Sequence, residues 1–258
     1  MRALWSGAIS FGLVNIPVKL YSGVGGDPID FDLLRKTDLS PIRYARIAVE
    51  DGKEVEYKNI VKGYAYEKGK YVVLTDKDFE KLNSERTKTI EILDFVKEEE
   101  VDSIYYEKPY YLEPEKGSEK AYVLLANALK ESKKLGLAKY VLRNREHLGA
   151  LKNRDGLIVL NQMRFEQDIR PTSALNIPPI NPSKKENEMA LELINQLTRP
   201  FIPATYKDTY VAELKKIIEA KARGKVLKVA ASKKSQAKVK DLMTVLKESI
   251  KAGKKNAA

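Results

Sequence analysis

A mixed, mainly β fold is predicted for the first 170 residues, followed by a helical region and a basic tail. Three observations carry this. Short alternations of apolar and polar residues recur, with turn signals every ten residues or so. One long amphipathic pattern is inserted among them. The positive charge is concentrated at one end: residues 215–258 hold 14 Lys and Arg against 3 Asp and Glu, so the whole net charge of +11 lies there and the body is balanced. At 258 residues the chain can bury one large or two modest cores. No run of eighteen apolar residues exists, so no membrane span is expected, and the N-terminus lacks the order of a secretory signal. Cys is absent, which excludes disulfides and thiolate metal sites and fits a reducing cytosol. With a single His, a zinc site is not expected.

The chain opens with WSGAISFGLVNIPVKLY, residues 5–21. Val14, Ile16, Val18 and Leu20 share one parity, as a half-buried strand requires. Pro17 has no amide to donate, so it belongs at an edge, a bulge or a sheet start. Ile29, Phe31 and Leu33 alternate with Asp30 and Asp32, which predicts a second strand. Asp51-Gly52 is a two-residue turn between apolar alternations. Gly63 to Leu74 reads as β structure turned at Lys68-Gly69. Thr75 with Asp78 makes a capping box before a short helix through Leu82. Strands are expected over Thr87–Val96 and Pro109–Leu112.

Ser118 is expected to cap the long helix, which runs to about Ser132. Tyr122, Leu125 and Leu129, with Ala121, Leu124 and Ala128, give it a broad apolar face. Leu137–Arg145 reads as a strand with Ala138, Tyr140 and Leu142 on one side. Lys139, Val141, Arg143 and Arg145 fall on the other. Leu148–Leu160 is a hairpin turned at Arg154-Asp155-Gly156. Such a series of short strands suits a barrel with inserted segments, and periodicity alone also permits a sandwich.

Residues 171–182 contain four prolines and read as a stiff linker. Ser183 and Glu186 form a capping box opening a helix with Ala190, Leu193, Ile194 and Leu197 on one face. A second helix is expected from about Asp208 to Arg223, ended by Gly224. Beyond it a Lys-rich tail, 225–258, is expected to be largely disordered. Val239, Leu242, Met243, Leu246 and Ile250 form one amphipathic piece, expected to fold only on a partner.

The opening stretch closely resembles that of the bacterial Ku proteins, the DNA-end-binding factors of non-homologous end joining. The resemblance extends through DLSPIRY (38–44), EDGK (50–53), IVKGY (60–64), GKYVVLT (69–75) and TIEI (89–92). It continues through EKPYYLE (107–113), VLRNREHL (141–148), EAKARGK (219–225) and the terminal stretch 241–250. It implies a Ku-type β-barrel core over 1–170, with an inserted DNA-encircling bridge over about 27–75. It also implies a helical region over 183–224 that recruits a multifunctional ATP-dependent DNA ligase of the ligase D type. The assembly implied is a homodimeric ring threaded by linear duplex DNA. Cys and His residues that some relatives have around 35–50 are missing here, so no metal is carried over and no cofactor is expected.

Sequence-independent grip on duplex needs Arg and Lys aimed at phosphates. The first candidates are Arg35, Lys36, Arg43, Arg46 and Lys53 in the bridge. Lys139, Arg143 and Arg145 are the second set, and each cation has a solvated-surface alternative. The tail candidates are Lys225, Lys228, Lys233, Lys234, Lys238 and Lys240. For the ligase the candidates are Tyr206, Tyr210, Leu214, Ile217 and Ile218. Catalysis is not expected. A Ser-His-acid triad would have to use His147, and the acidic groups Asp76, Asp78 and Glu98 to Glu100 read as a helix start and a solvated loop. No phosphate-loop or dinucleotide fingerprint occurs. The rival readings are a general basic chromosomal or RNA-binding protein without end preference, and a repair scaffold that binds DNA weakly. A cytoplasmic, nucleoid-associated location goes with the first reading.

Overall fold

The structure is a computed structural model that describes residues 1–25, 29–83, 88–143, 145–224 and 242–255. These fall into two compact units, Met1–Pro171 and Thr172–Ala258.

The first unit is built on a closed barrel. Its strands are β1 (Trp5–Phe11), β2 (Val14–Ser22), β5 (Thr89–Lys97), β6 (Tyr106–Pro114), β7 (Lys134–Leu142), β8 (Arg145–Arg154) and β9 (Leu157–Met163). Around the barrel they run β1-β2-β6-β9-β8-β7-β5 and back to β1. Every pairing is antiparallel except β1 with β5, which closes the ring in parallel. Closure leaves no free edge, and inward side chains form the core. Ile16, Val18 and Leu20 point inward, as their parity requires, and meet Ile9, Ile90, Leu112, Ile158 and Leu160. Val14, which shares their parity, is exposed beside the hairpin turn, where Gly12 has φ 58°.

Pro17 sits where the ladder from β2 to β6 stops. Its carbonyl accepts from the Glu115 amide at 2.9 Å, and the missing proline N–H leaves no second bond to continue the ladder.

One long helix packs against the barrel: α2 (Glu119–Ser132) buries Tyr122, Leu125, Ala126 and Leu129. The face is narrower than predicted. Leu124 is exposed and so is Ala128, because only the side of the helix over β2, β7 and β8 meets the barrel. Ser118 does not cap α2. Its φ of −103° and ψ of 0° are already near-helical, and its hydroxyl is directed to the carbonyls of Pro17 at 2.9 Å and Glu115 at 2.7 Å. It ties the helix start to β2 instead. The Tyr122 hydroxyl accepts from the Ile158 amide at 2.7 Å and donates to the Leu112 carbonyl at 2.6 Å. It thereby satisfies both backbone groups where β6 and β9 part.

Between β2 and β5 lies an arm, residues 29–75, followed by α1 (Asp76–Asn83). The predicted strand over 29–33 does not form. Among the described residues Leu34 alone makes a bridge there, to Pro41, and no neighbouring strand pairs with the alternating residues. β3 (Lys62–Glu67) and β4 (Lys70–Leu74) form the predicted hairpin, with Gly69 at φ 79° in its turn. Half of the expected capping box forms at α1: the Asp78 carboxylate accepts from the Thr75 amide at 2.9 Å and its hydroxyl at 2.7 Å, while the Asp78 amide donates to the Thr75 backbone carbonyl at 3.0 Å.

In the second unit, α3 (Lys184–Leu197) opens with the complete Ser183–Glu186 capping box. Asp208 caps α4 (Thr209–Ala222) by accepting from the Val211 amide at 3.0 Å. The amphipathic terminal piece forms α5 (Leu242–Lys255). Its partner is within the chain: α5 packs on α3, Ile250 is buried, and Gln196 donates to the Ile250 carbonyl at 3.2 Å. Val239 lies outside the described residues.

Candidate nucleic-acid interface

Local turns, not a core, shape the arm. Asp38 organises its first bend. Its carboxylate accepts from the Ser40 amide at 3.2 Å, the Ser40 hydroxyl at 2.9 Å and Arg35 Nε at 3.0 Å. The Ser40 hydrogen bonds, with Arg35 adding to them, hold this carboxyl below the usual range. The second bend is the Asp51-Gly52 turn, with Gly52 at φ 70°. The Ala48 amide donates to the Lys53 carbonyl at 2.9 Å, the Val55 amide donates to the Arg46 carbonyl at 2.7 Å, and Ile47 bridges Glu54. Phe31, Leu39, Tyr44, Ile47, Tyr57, Tyr64 and Tyr71 are all exposed along this segment. Apolar and aromatic side chains held outward in such number mark a surface made to be covered.

Carboxylates and cations are interspersed along the arm, so the ion pairs decide which charges are available. Arg35 is paired with Asp38 at 2.9 Å and Lys53 with Asp51 at 3.3 Å. Lys58 meets Glu56 at 2.6 Å and Lys70 meets Glu67 at 2.7 Å. Among the described residues Lys36, Arg43 and Arg46 have no ion pair, and all three are exposed. Arg46 instead lies over the Tyr57 ring, 5.1 Å from its centroid. The five cations expected to line the bridge are therefore not equivalent. Two of them hold a neighbouring carboxylate, a distinction that needed the turn geometry.

The second set does not share one strand face. Lys139 lies in β7 and pairs with Glu146 of β8 at 3.2 Å. Arg143 is in the turn with φ 53°, and Arg145 begins the next strand. Val141, assigned outward with them, is buried. The predicted strand over 137–145 breaks after Leu142 because the chain reverses there, with Leu142 opposite Arg145.

His147 stacks on Tyr140 with ring centroids 5.4 Å apart. Burial, the main cause, pushes its imidazole below the ordinary value of 6.5, and Arg145 acts in the same direction. It lines a cleft of about 230 Å³ with Glu107, Arg145, Gln162, Arg164 and Asp168. Gln162 donates to Glu107 at 2.9 Å and accepts from Tyr140 at 3.3 Å. These are the contacts of a packed polar end of the barrel. Among the described residues no group of three or more His, Cys, Asp or Glu is placed to hold a metal, and no helix is long and apolar enough to cross a membrane.

In the second unit Tyr206 and Tyr210 are 71% and 70% exposed and Ile218 is 41% exposed, while Leu214 and Ile217 are half-buried. An exposed row on α3, Leu191, Ile194 and Leu197, with Phe201 just beyond it, is not among the partner-binding residues expected from the sequence. Of the apolar face expected on this helix, Ala190 and Leu193 are half-buried together with Met189 and Gln196, while Ile194 and Leu197 are exposed. Lys225, Lys228, Lys233, Lys234, Lys238 and Lys240 lie outside the described residues.

Residues 10–193 match the family model described as the Ku70/Ku80 beta-barrel domain. A protein of Opitutus terrae named non-homologous end joining protein Ku is 45% identical over 97% of this chain and 91% of its own length. One of the same name from Archaeoglobus fulgidus is 42% identical over 98% of this chain and 100% of its own. A longer one from Symbiobacterium thermophilum is 40% identical over the whole chain, which spans 65% of that relative. The chain belongs to the Ku family.

Proposed function

We propose that this Ku-family chain binds the ends of double-stranded DNA without regard to sequence, in double-strand break repair by non-homologous end joining. The supporting observation is the arm: a segment shaped by turns, almost wholly exposed, that presents Lys36, Arg43 and Arg46 with no ion pair among the described residues. Cations on an extended track meet successive phosphates, which repeat regardless of base. Carboxylates such as Asp30 and Glu50 would turn away from the duplex. The chain acts as a homodimer whose two arms close a ring loaded from a free end. The outward apolar side chains of the arm support this, since a second copy would cover them.

In this reading residues 1–170 form the barrel and its bridge (about 27–75), 171–182 the linker, 183–224 the recruiting helices and 225–258 a basic tail that adds affinity. Tyr206, Tyr210 and Ile218, exposed beside Leu214 and Ile217, would meet an ATP-dependent ligase of the ligase D type. The chain carries out no catalysis and works beside the nucleoid.

The test compares one duplex with open ends and with both ends closed by hairpins, at several salt concentrations. Strong preference for open ends at near-physiological salt is expected. Equal binding would overturn the ring and favour a general nucleic-acid-binding protein.

A further inference from the structure

We propose that Tyr57 is a positioning residue that holds the Arg46 guanidinium ready for a backbone phosphate. The inference rests on reading the arm as the duplex-binding surface. The Ile47–Glu54 bridge puts Arg46 opposite Val55, and the Val55 amide donates to the Arg46 carbonyl at 2.7 Å. Tyr57 is two residues beyond Val55, on the same parity, which makes it the diagonal neighbour of Arg46. Its own backbone is fixed by a short turn, in which the Ile60 amide donates to the Tyr57 carbonyl at 3.1 Å. The two side chains therefore meet from two anchored backbones, with the guanidinium carbon 5.1 Å from the ring centroid.

The chemistry of this contact differs from that of the other arm cations. Asp38 takes up donors of Arg35 and offsets its charge, and Asp51 does the same for Lys53. An aromatic face attracts a guanidinium without neutralising it. It also leaves the in-plane N–H groups free, and those are the groups that fork onto a phosphate. Ordering this side chain in advance removes part of the entropy cost of engaging the phosphate.

The test measures affinity of the full-length protein for an open-ended duplex over a series of salt concentrations. The variants are Tyr57→Leu, Tyr57→Phe, Arg46→Gln and the Tyr57→Leu/Arg46→Gln pair. Tyr57→Leu is expected to weaken binding about two- to fivefold for each subunit, the size of one exposed cation–π contact, and by the product of the two for the ring. Tyr57→Phe keeps the ring and should bind as the unaltered protein does. Arg46→Gln should weaken binding and flatten the salt slope by about 0.9 per subunit, about 1.8 for a ring that carries two copies of Arg46. In the Arg46→Gln background, Tyr57→Leu should have no further effect. If Arg46→Gln weakens binding and Tyr57→Leu does not, the positioning role is wrong. An equal Tyr57→Leu loss with and without Arg46, or a loss in Tyr57→Phe, overturns it too. If Arg46→Gln changes nothing, the underlying assignment of Arg46 to the duplex fails first.

Discussion

The barrel and the arm belong to one continuous stretch of chain, yet opposite rules hold them. In the barrel each strand is paired on both sides, and Ile9, Ile16, Leu20, Leu112, Leu151 and Leu160 are fully buried. In the arm two isolated bridges, one hairpin and several side chain-to-backbone turns fix the path, and the apolar residues point to solvent. The barrel's order is thus a property of its own packing. The arm's order is local, and its apolar side chains gain nothing until another surface covers them. Substitutions should therefore sort by region: stability effects in the barrel, binding effects in the arm.

The largest expected effect is in the barrel. Leu112→Ala empties a fully buried site between β2 and β9 and should cost about 2–5 kcal/mol in a urea titration. The matching arm change, Ile47→Ala, removes a side chain that is exposed in the single chain, and at protein concentrations low enough to keep the chain monomeric it should stay within about 0.5 kcal/mol. Equal losses would erase the contrast. Tyr122→Phe comes next. It strands the Ile158 amide and the Leu112 carbonyl in the core, for roughly 1–3 kcal/mol. A neutral result there would mean that another group takes over both bonds.

Smaller effects sharpen the comparison. Replacing Lys36, Arg43 and Arg46 together by Gln should leave unfolding within about 0.5 kcal/mol. The same variant should bind duplex with a salt slope shallower by about 0.9 for each phosphate that is no longer neutralised. A large stability loss would show that these cations serve the fold. His147 gives a pH-dependent term of the barrel alone. Its folded pKa is depressed, so the unfolded chain takes up a proton more readily. The contribution is complete above the ordinary value of 6.5 and is lost as the pH falls through the lower folded value. Urea midpoints of the unaltered protein should therefore drop more between about pH 7.5 and pH 5 than those of His147→Gln. Parallel drops would remove the imidazole from the account.

The barrel was largely legible in the sequence because burial imposes parity. Ile16, Val18 and Leu20 declare their face, and Asp155-Gly156 declares the turn between β8 and β9. What the sequence hid depended on a partner distant in the chain. Ser118 reads as a cap, yet its hydroxyl is directed to the carbonyls of Pro17 and Glu115. The alternation at Ile29 to Leu33 read as a strand, yet no second strand runs beside it among the described residues. The terminal amphipathic piece needed α3, whose matching face does not announce which helix it will receive. In the site, the cations were legible by type and position. Their pairing was not, because whether Asp38 reaches Arg35 or Tyr57 reaches Arg46 is decided by turns a few residues long.

The most direct test of the arm as the duplex-binding surface is amide hydrogen exchange of the full-length protein, with and without an open-ended duplex. The account predicts slowed exchange across residues 29–75 when the duplex is present, with barrel strands such as β6 and β9 unchanged. Protection confined to other parts of the chain, with the arm exchanging as fast as before, would contradict it.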